Sequence, residues 1–203
     1  MNNVIKIIIL LILLVMVRHI STMYINSNHI SKTEIYDMCH KLFPQMEISK
    51  IRNYLYDLHT VLPIIAVFCL TYFKNNGQLF YQFSIMLIIL NLIRPIFYSI
   101  TVLPDPTDRC KNNNPIHSEV YEFLVGSCKD MIFSGHISNS FMALLFLIVY
   151  FGLPIPYAFL HQVILVIMML CQRKHYTVDI IIAYLMTLTL FDHRSMIFDF
   201  LKV

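Results

Sequence analysis

Long apolar runs divide this chain of 203 residues, and a run of about 20 apolar residues is the length that crosses the hydrocarbon core of a bilayer. Hydrophobic residues make up 58% of the sequence and charged residues 13%. Soluble domains are closer to about half apolar and about a quarter charged. This composition excludes a disordered chain and disfavours a soluble domain. The sequence therefore predicts an all-α, polytopic membrane protein.

The apolar segments predict six transmembrane helices, or five if the first is removed as a signal peptide. We expect residues 1–17 to be an uncleaved anchor, because no cleavage site of small residues follows them. The other expected spans are 60–73, 79–103, 137–153, 155–171 and 176–191.

Two long polar stretches, 18–59 and 104–133, interrupt these spans. Within the first, residues 47–59 have the apolar spacing of an amphipathic helix lying on the membrane interface. The expected organisation is an N-terminal anchor and interfacial segment, residues 1–59, followed by a transmembrane domain, residues 60–203.

Charge and cysteine usage argue against several other classes of protein. A net charge of +3 is too small for a nucleic-acid-binding protein. The five cysteines include no C-x-x-C pair, so neither a zinc motif nor a thioredoxin motif is present. We therefore expect no nucleic-acid partner, no metal and no cofactor.

Four polar residues stand inside or at the start of apolar segments, where a charge is costly and needs an explanation. They are Arg94, His136, His175 and Asp179. Because successive spans alternate in direction, the sequence places all four on one face of the membrane. Both long polar stretches are expected on that same face.

His175 and Asp179 are four residues apart, so they share one face of a helix. A carboxylate in this position can orient one imidazole nitrogen and leave the other as a base or nucleophile. The alternative is a histidine at a helix start that a nearby aspartate merely satisfies. Seven further histidines are expected to be ordinary loop or interface residues: His19, His29, His40, His59, His117, His161 and His193.

Ser134-Gly135-His136 opens another predicted helix, whose first backbone N–H groups could receive a phosphate. The simpler interpretation is an N-cap serine. Arg94 could neutralise a phosphate, or it could form a structural ion pair with Asp179 or Asp105. Two histidines, one aspartate and one arginine together favour phosphoryl transfer without a metal.

Three sequence blocks contain these residues in a fixed order. The first is Arg94 with Thr101, Leu103-Pro104, Pro106 and Cys110; the second runs from Gly126 to His136; the third runs from Arg173 to Ile180 with Ala183-Tyr184. At these blocks the sequence resembles the sphingolipid synthases, which include the sphingomyelin and inositol phosphorylceramide synthases. These enzymes are similar to the type 2 phosphatidic acid phosphatases. The resemblance covers roughly residues 94–191.

The resemblance implies a helical core like that of the lipid phosphatases, with a catalytic triad of His136, His175 and Asp179. His175 would be the nucleophile, Asp179 its orienting group, and His136 the acid and then the base. Arg94 would contact phosphate, and Ser134, Asp130 and Tyr176 match motif positions that would serve substrate binding.

The implied reaction moves a headgroup phosphate (choline, ethanolamine or inositol) from a phospholipid donor to a ceramide acceptor. Diacylglycerol is released, a phosphohistidine forms, and no cofactor takes part. The alternative is a lipid phosphate phosphatase that uses water as acceptor. Leu87 and Met169 stand where the phosphatase motifs have lysine and arginine, which disfavours it. A third interpretation is a non-enzymatic protein with a vestigial site, either a structural membrane protein or a lipid-binding relative. Retention of all four polar residues disfavours it.

The resemblance also implies a Golgi or plasma membrane protein, or one of the endoplasmic reticulum, with its site on the lumenal or exoplasmic face. The charge distribution points the other way, because 11 of the 15 lysines and arginines fall on the site face. If that face is oxidising, Cys110 and Cys128 could form a disulfide. Two free thiols, or Cys39 as a partner, are the alternatives.

Overall fold

The structure is a computed structural model that describes residues 3–27, 35–46, 49–101, 103–104 and 132–203. Within these ranges all regular structure is helical and no strand occurs. The prediction of an all-α fold is therefore confirmed. Most of the expected loop 104–133 lies outside the described residues.

Eight helices follow one another along the described part of the chain. They are α1 (Asn3–Ser27), α2 (Met38–Leu42), α3 (Lys50–Phe73), α4 (Gly77–Ile100), α5 (Gly135–Phe151), α6 (Ile155–Cys171), α7 (Thr177–Asp192) and α8 (Arg194–Leu201).

Each of the six expected spans corresponds to one of these helices: α1, α3, α4, α5, α6 or α7. By length and composition, α1, α3 and α4 can each cross a membrane. Helices α7 and α8 qualify together as one bent pair, with 55° between them. Helices α5 and α6 have 17 residues each. At 1.5 Å per residue each is about 26 Å long, slightly less than a hydrocarbon core of about 30 Å.

Within the amphipathic stretch 47–59, the described residues 49–59 do not form a separate interfacial helix. Ser49 caps α3 by accepting a 3.2 Å hydrogen bond from the Arg52 N–H, and the helix then continues unbroken to Phe73. Between Lys50 and Lys74 the sequence has no glycine and no turn-forming pair, and Pro63 lies within the helix without ending it. The expected boundary between residues 59 and 60 falls inside α3, and the division into two regions stays a prediction.

Helix α5 lies at the centre of the bundle and packs against α3, α4, α6 and α7. Side-chain hydrogen bonds join it to two of these neighbours. The Asn91 amide of α4 donates to Asn139 Oδ1 at 2.8 Å, and the Gln162 amide of α6 donates to Ser140 Oγ at 3.1 Å. Lipid tails are as apolar as the helices, so such bonds and close packing hold a membrane bundle together.

The two ends of the bundle differ in what they bring together. At one end, Lys6 Nζ donates hydrogen bonds to the carbonyls of Leu201 and Lys202 at 2.5 and 3.0 Å. The Gln82 amide also donates to the carbonyl of Val203, at 3.3 Å. Helices α1 and α4 therefore begin where α8 ends. The start of α5 and the turn between α6 and α7 consequently lie at the opposite end, as the alternation of spans predicted.

Candidate active site

His175 and Asp179 occupy the turn at which α7 begins. Asp179 is fully buried and His175 is 6% exposed. The Asp179 oxygen Oδ2 lies 3.4 Å from His175 Nδ1 and accepts a 2.9 Å hydrogen bond from the Tyr176 N–H. The carboxylate therefore closes the first turn of α7 and also holds one imidazole nitrogen. In such a pair Nε2 is the nitrogen that reacts.

Ser134 brings the start of α5 against this turn. Its hydroxyl caps α5 by accepting a 3.4 Å hydrogen bond from the Ile137 N–H, so the N-cap interpretation is confirmed. Its own backbone N–H donates to the carbonyl of Asp179 at 3.3 Å. The first residues of α5 and the first turn of α7 are therefore neighbours.

Arg94 reaches the same point from α4. Its Nε donates a 3.1 Å hydrogen bond to the carbonyl of Phe133, and its guanidinium lies flat against the backbone of Gly135. A Cβ added to Gly135 would lie 2.5 Å from Arg94 Nη1 and 2.6 Å from Cζ. The glycine of Ser134-Gly135-His136 is thus the residue type that allows the arginine to approach.

The start of α5, the first turn of α7 and the Arg94 guanidinium meet at one corner of the bundle, and the electrostatics of this corner favour an anion. The N-terminus of a helix carries a partial positive charge, and the guanidinium adds a full one beside it. The backbone N–H groups at a helix start are also suited to phosphate oxygens. An imidazole oriented by a carboxylate therefore lies next to a place where phosphate would be stabilised.

Asp57 of α3 is a neighbour of the site that the sequence analysis did not single out. Its Oδ1 lies 3.7 Å from both His136 Nε2 and Lys174 Nζ. The Lys174 ammonium lies 3.5 Å above the ring centroid of Tyr56, and the His136 ring packs on the same tyrosine at 4.9 Å. Asp57 is more than half exposed, so its ion pairs contribute little to stability. They do place His136 beside the residue that precedes His175.

A short segment, residues 35–46, lies across the turn that carries His175, and we call it the strap. Asp37 accepts hydrogen bonds from the Thr177 N–H at 2.6 Å and the Thr177 hydroxyl at 2.7 Å. The Arg173 guanidinium donates to the carbonyls of His40 and Phe43, the latter at 2.9 Å. The strap therefore holds the residues on both sides of His175.

His40 adds a third connection between the strap and the site. Its Nε2 lies 3.0 Å from the carbonyl of His175, and its ring stacks on Tyr176 at 5.5 Å between centroids. We expected His40 to be an ordinary loop residue. The motif of the third block does not show which distant segment its backbone will contact, so this contact could not be predicted from the sequence.

The charge of Asp37 is stabilised by the same contacts. Partial burial raises the pKa of this carboxyl, but hydrogen bonds from Thr177 and His40 and the nearby His40 side chain lower it more. The net result is a pKa below the ordinary value of 3.8. Asp37 is therefore an anion at neutral pH and a firm anchor for the start of α7.

Two other histidines that we expect to be ordinary loop or interface residues face each other between two helices. The rings of His59 in α3 and His161 in α6 stack with centroids 3.8 Å apart. Each Nε2 lies 3.1 Å from the other residue's backbone carbonyl. Pro63 has no N–H, so the carbonyl of His59 lacks its usual helical donor, and His161 supplies one. The pair joins α3 to α6.

The structure thus brings together most of the residues that the sequence singled out. Contacts link Arg94 to Gly135, Ser134 to Asp179, and Asp179 to both His175 and Tyr176. His136 is the residue after Gly135 at this same corner. Asp130, Cys110 and Cys128 lie outside the described residues, so their predicted roles stay predictions.

Comparison with known families agrees with the chemistry of this corner. Residues 127–196, about a third of the chain, match the family model described as PAP2 superfamily C-terminal. This stretch contains Ser134, His136, His175 and Asp179, whereas Arg94 precedes it. A search of curated proteins found no match. The match supports a relation to the type 2 phosphatidic acid phosphatases, and it indicates an enzyme of lipid phosphate chemistry.

Proposed function

We propose that the chain is a membrane phosphotransferase that moves the headgroup phosphate of a phospholipid onto ceramide and releases diacylglycerol. The observation that carries this proposal is the corner where the Arg94 guanidinium and the start of α5 meet the turn of His175 and Asp179. The resemblance of residues 94–191 to the sphingolipid synthases supports ceramide as the acceptor.

In the first step, Nε2 of His175 forms a bond to phosphorus, and the bond from phosphorus to the diacylglycerol oxygen breaks. Protonated His136 gives its proton to that oxygen, so diacylglycerol leaves as a neutral alcohol. Arg94 and the backbone N–H groups of α5 stabilise the negative charge on the phosphate oxygens. Asp179 stabilises the positive charge that develops on His175.

In the second step, the primary hydroxyl of ceramide attacks phosphorus and the bond to His175 breaks. His136, now neutral, takes the hydroxyl proton. The Asp57 carboxylate, 3.7 Å from His136 Nε2, attracts the positive charge that the imidazole regains. One phosphoester is broken and one is formed, so the reaction needs no nucleotide.

The match to the PAP2 superfamily supports a second candidate, a lipid phosphate phosphatase. The same residues would act, and water would replace ceramide in the second step. With phosphatidic acid as donor, the group on His175 would be a phosphoryl group without a headgroup. The two candidates therefore differ in the acceptor and in the donor, and their products distinguish them.

The test is lipid mass spectrometry on the purified protein in detergent. The protein is given fluorescent ceramide with phosphatidylcholine, phosphatidylethanolamine, phosphatidylinositol and phosphatidic acid. We expect a new ceramide phosphodiester, whose mass identifies the headgroup, and an equal amount of diacylglycerol. Phosphate released from phosphatidic acid without any ceramide product would favour the phosphatase instead.

His175→Ala is the variant that ties the product to this site, and His193→Ala is its matched control. His193 lies at the junction of α7 and α8, and in the described part of the chain its ring bonds within its own helix turn, with Nδ1 2.8 Å from the carbonyl of Thr189. We expect His175→Ala to lose the product and His193→Ala to keep it. Full activity in a folded His175→Ala protein would exclude the mechanism.

We also propose that the site faces the lumen or the exterior of a Golgi or plasma membrane protein. The test is labelling of intact cells with a membrane-impermeant reagent, using one tag between residues 111 and 114 and another after Val203. We expect only the tag in the first position to be labelled at the cell surface. Labelling of only the C-terminal tag would reverse the orientation, as the positive charges on the site face suggest.

A further inference from the structure

An apolar cleft separates α6 from α7, although the two helices are consecutive in the chain. Both pack against α5 rather than closely against each other. The space between them is a cavity of about 580 Å³, within the usual range of small-molecule sites. Residues of α6 supply most of its lining, with Phe141 and Ile148 of α5 and Tyr184 of α7.

The lining of this cleft suits hydrocarbon. Of the lining residues only Gln162 and Tyr184 carry polar groups, and these are already bonded. The Tyr184 hydroxyl donates to Gln162 Oε1 at 2.9 Å, and the Gln162 amide donates to Ser140 at 3.1 Å. A ligand in the cleft therefore needs no polar group to satisfy the protein there.

The cleft shares a lining residue, Phe43, with the strap that contacts the candidate active site. It follows α6 from Ile155 to Ile167, a rise of about 18 Å at 1.5 Å per residue. Phe43 of the strap also lines the cleft, and the strap meets α6 at its C-terminal end, where the Met46 N–H donates to the carbonyl of Cys171 at 2.8 Å. The Phe43 carbonyl accepts a hydrogen bond from Arg173, two residues before His175. The cleft thus runs along α6 toward the strap, which contacts the turn that carries His175.

We propose that this cleft holds one acyl chain of the phospholipid donor while its phosphate lies at His175. The proposal rests on the proposed function and adds the subsite that positions the donor in the membrane. A chain seated between α6 and α7 would fix the depth of the glycerol backbone. The scissile phosphoester would then stay near Arg94 and the start of α5.

Val163→Trp tests the proposal by filling the cleft, and Leu160→Trp is the matched control. Val163 lines the cleft, whereas Leu160 lies on the same helix, is 55% exposed and does not line it. We expect Val163→Trp to lower kcat/KM at least about tenfold for a dioleoyl donor, as lost pocket contacts do. With a dihexanoyl donor, whose chains are too short to fill the cleft, Val163→Trp should match the control. Equal activity of both variants on both donors, or an equal loss on both, would overturn the proposal.

Photolabelling of the wild-type protein provides a test that does not depend on turnover. A phosphatidylcholine with a diazirine on one acyl chain should label peptides of α6 that line the cleft. Unlabelled phosphatidylcholine should compete, and a galactolipid with the same chains but no phosphate should compete much less. Equal competition by both lipids would show that bulk bilayer lipid fills the cleft and would overturn the proposal. Specific labelling of a protein without transferase or hydrolase activity would overturn the proposed function but keep the lipid site.

Discussion

Gly135 has no room for a side chain, because the guanidinium of Arg94 occupies the place of a Cβ. We expect Gly135→Ala to push the guanidinium away from the start of α5. The preorganised stabilisation of phosphate charge would be lost, and such losses lower kcat about 100-fold or more. The measurement is initial rate against donor concentration.

Gly77→Ala is the matched control for this prediction. Gly77 is also the first residue of a helix, but a Cβ there meets no atom within 4 Å in the described part of the chain. We expect Gly77→Ala to keep the wild-type rate and Gly135→Ala to remain folded by size-exclusion chromatography. A folded Gly135→Ala protein with the wild-type rate would show that Arg94 does not act where the structure places it.

The contact between Asp57 and His136 could not be predicted from the sequence. The histidines, Asp179 and Arg94 are conspicuous because a polar group in an apolar run needs an explanation. Asp57 stands in a polar stretch, where a carboxylate needs none. Its contact with His136 joins residues far apart in the chain, and only the packing of α3 against α5 creates it.

At the scale of elements, Asp37 joins the strap to the first residue of α7. We expect Asp37→Ala to lower the melting temperature and the transfer rate, because the N–H and the hydroxyl of Thr177 lose their acceptor and the His175 turn is released. A neutral Asn at this position keeps one acceptor oxygen and should have an intermediate effect. The measurement is thermal unfolding in detergent together with the rate.

The lowered pKa of Asp37 gives this anchor a predictable pH dependence. The folded pKa lies below the ordinary value of 3.8, so the anchor contributes fully above that pH. The contribution falls as the pH drops from 3.8 through the folded pKa. The difference in melting temperature between wild type and Asp37→Ala should therefore be constant near neutrality and shrink below pH 3.8. A difference that persists unchanged at lower pH would contradict this account.

The junction of α3 and α6 offers a test of the histidine pair. We expect His161→Phe to destabilise the protein by about 1 kcal/mol, because the carbonyl of His59 loses its donor. Pro63→Ala should restore a helical donor to that carbonyl. In the Pro63→Ala background, His161→Phe should therefore cost less. The two substitutions form a double-mutant cycle of unfolding free energy. Equal costs in both backgrounds would show that Pro63 does not explain the pair.

At the scale of the whole molecule, hydrophobic patterning predicted the helices well. All six apolar segments are helical, and alternation of direction correctly placed Arg94 at the end of the bundle where α5 and α7 begin. The patterning failed in polar stretches. It divided α3 at residue 59, because the first part of this helix has a polar face and the second part does not. It also missed the strap, because a five-residue helix held by tertiary contacts has no periodic signal.

The central claim is that His175 forms a covalent bond to phosphorus within this helical bundle. The most direct measurement is mass spectrometry of peptides from the full-length protein, incubated with donor phospholipid without ceramide and quenched in alkali. We expect the peptide containing His175 to gain the mass of the headgroup phosphate, and the adduct to disappear when ceramide is added. Turnover of donor without any adduct on His175, or normal turnover by His175→Ala, would contradict the account.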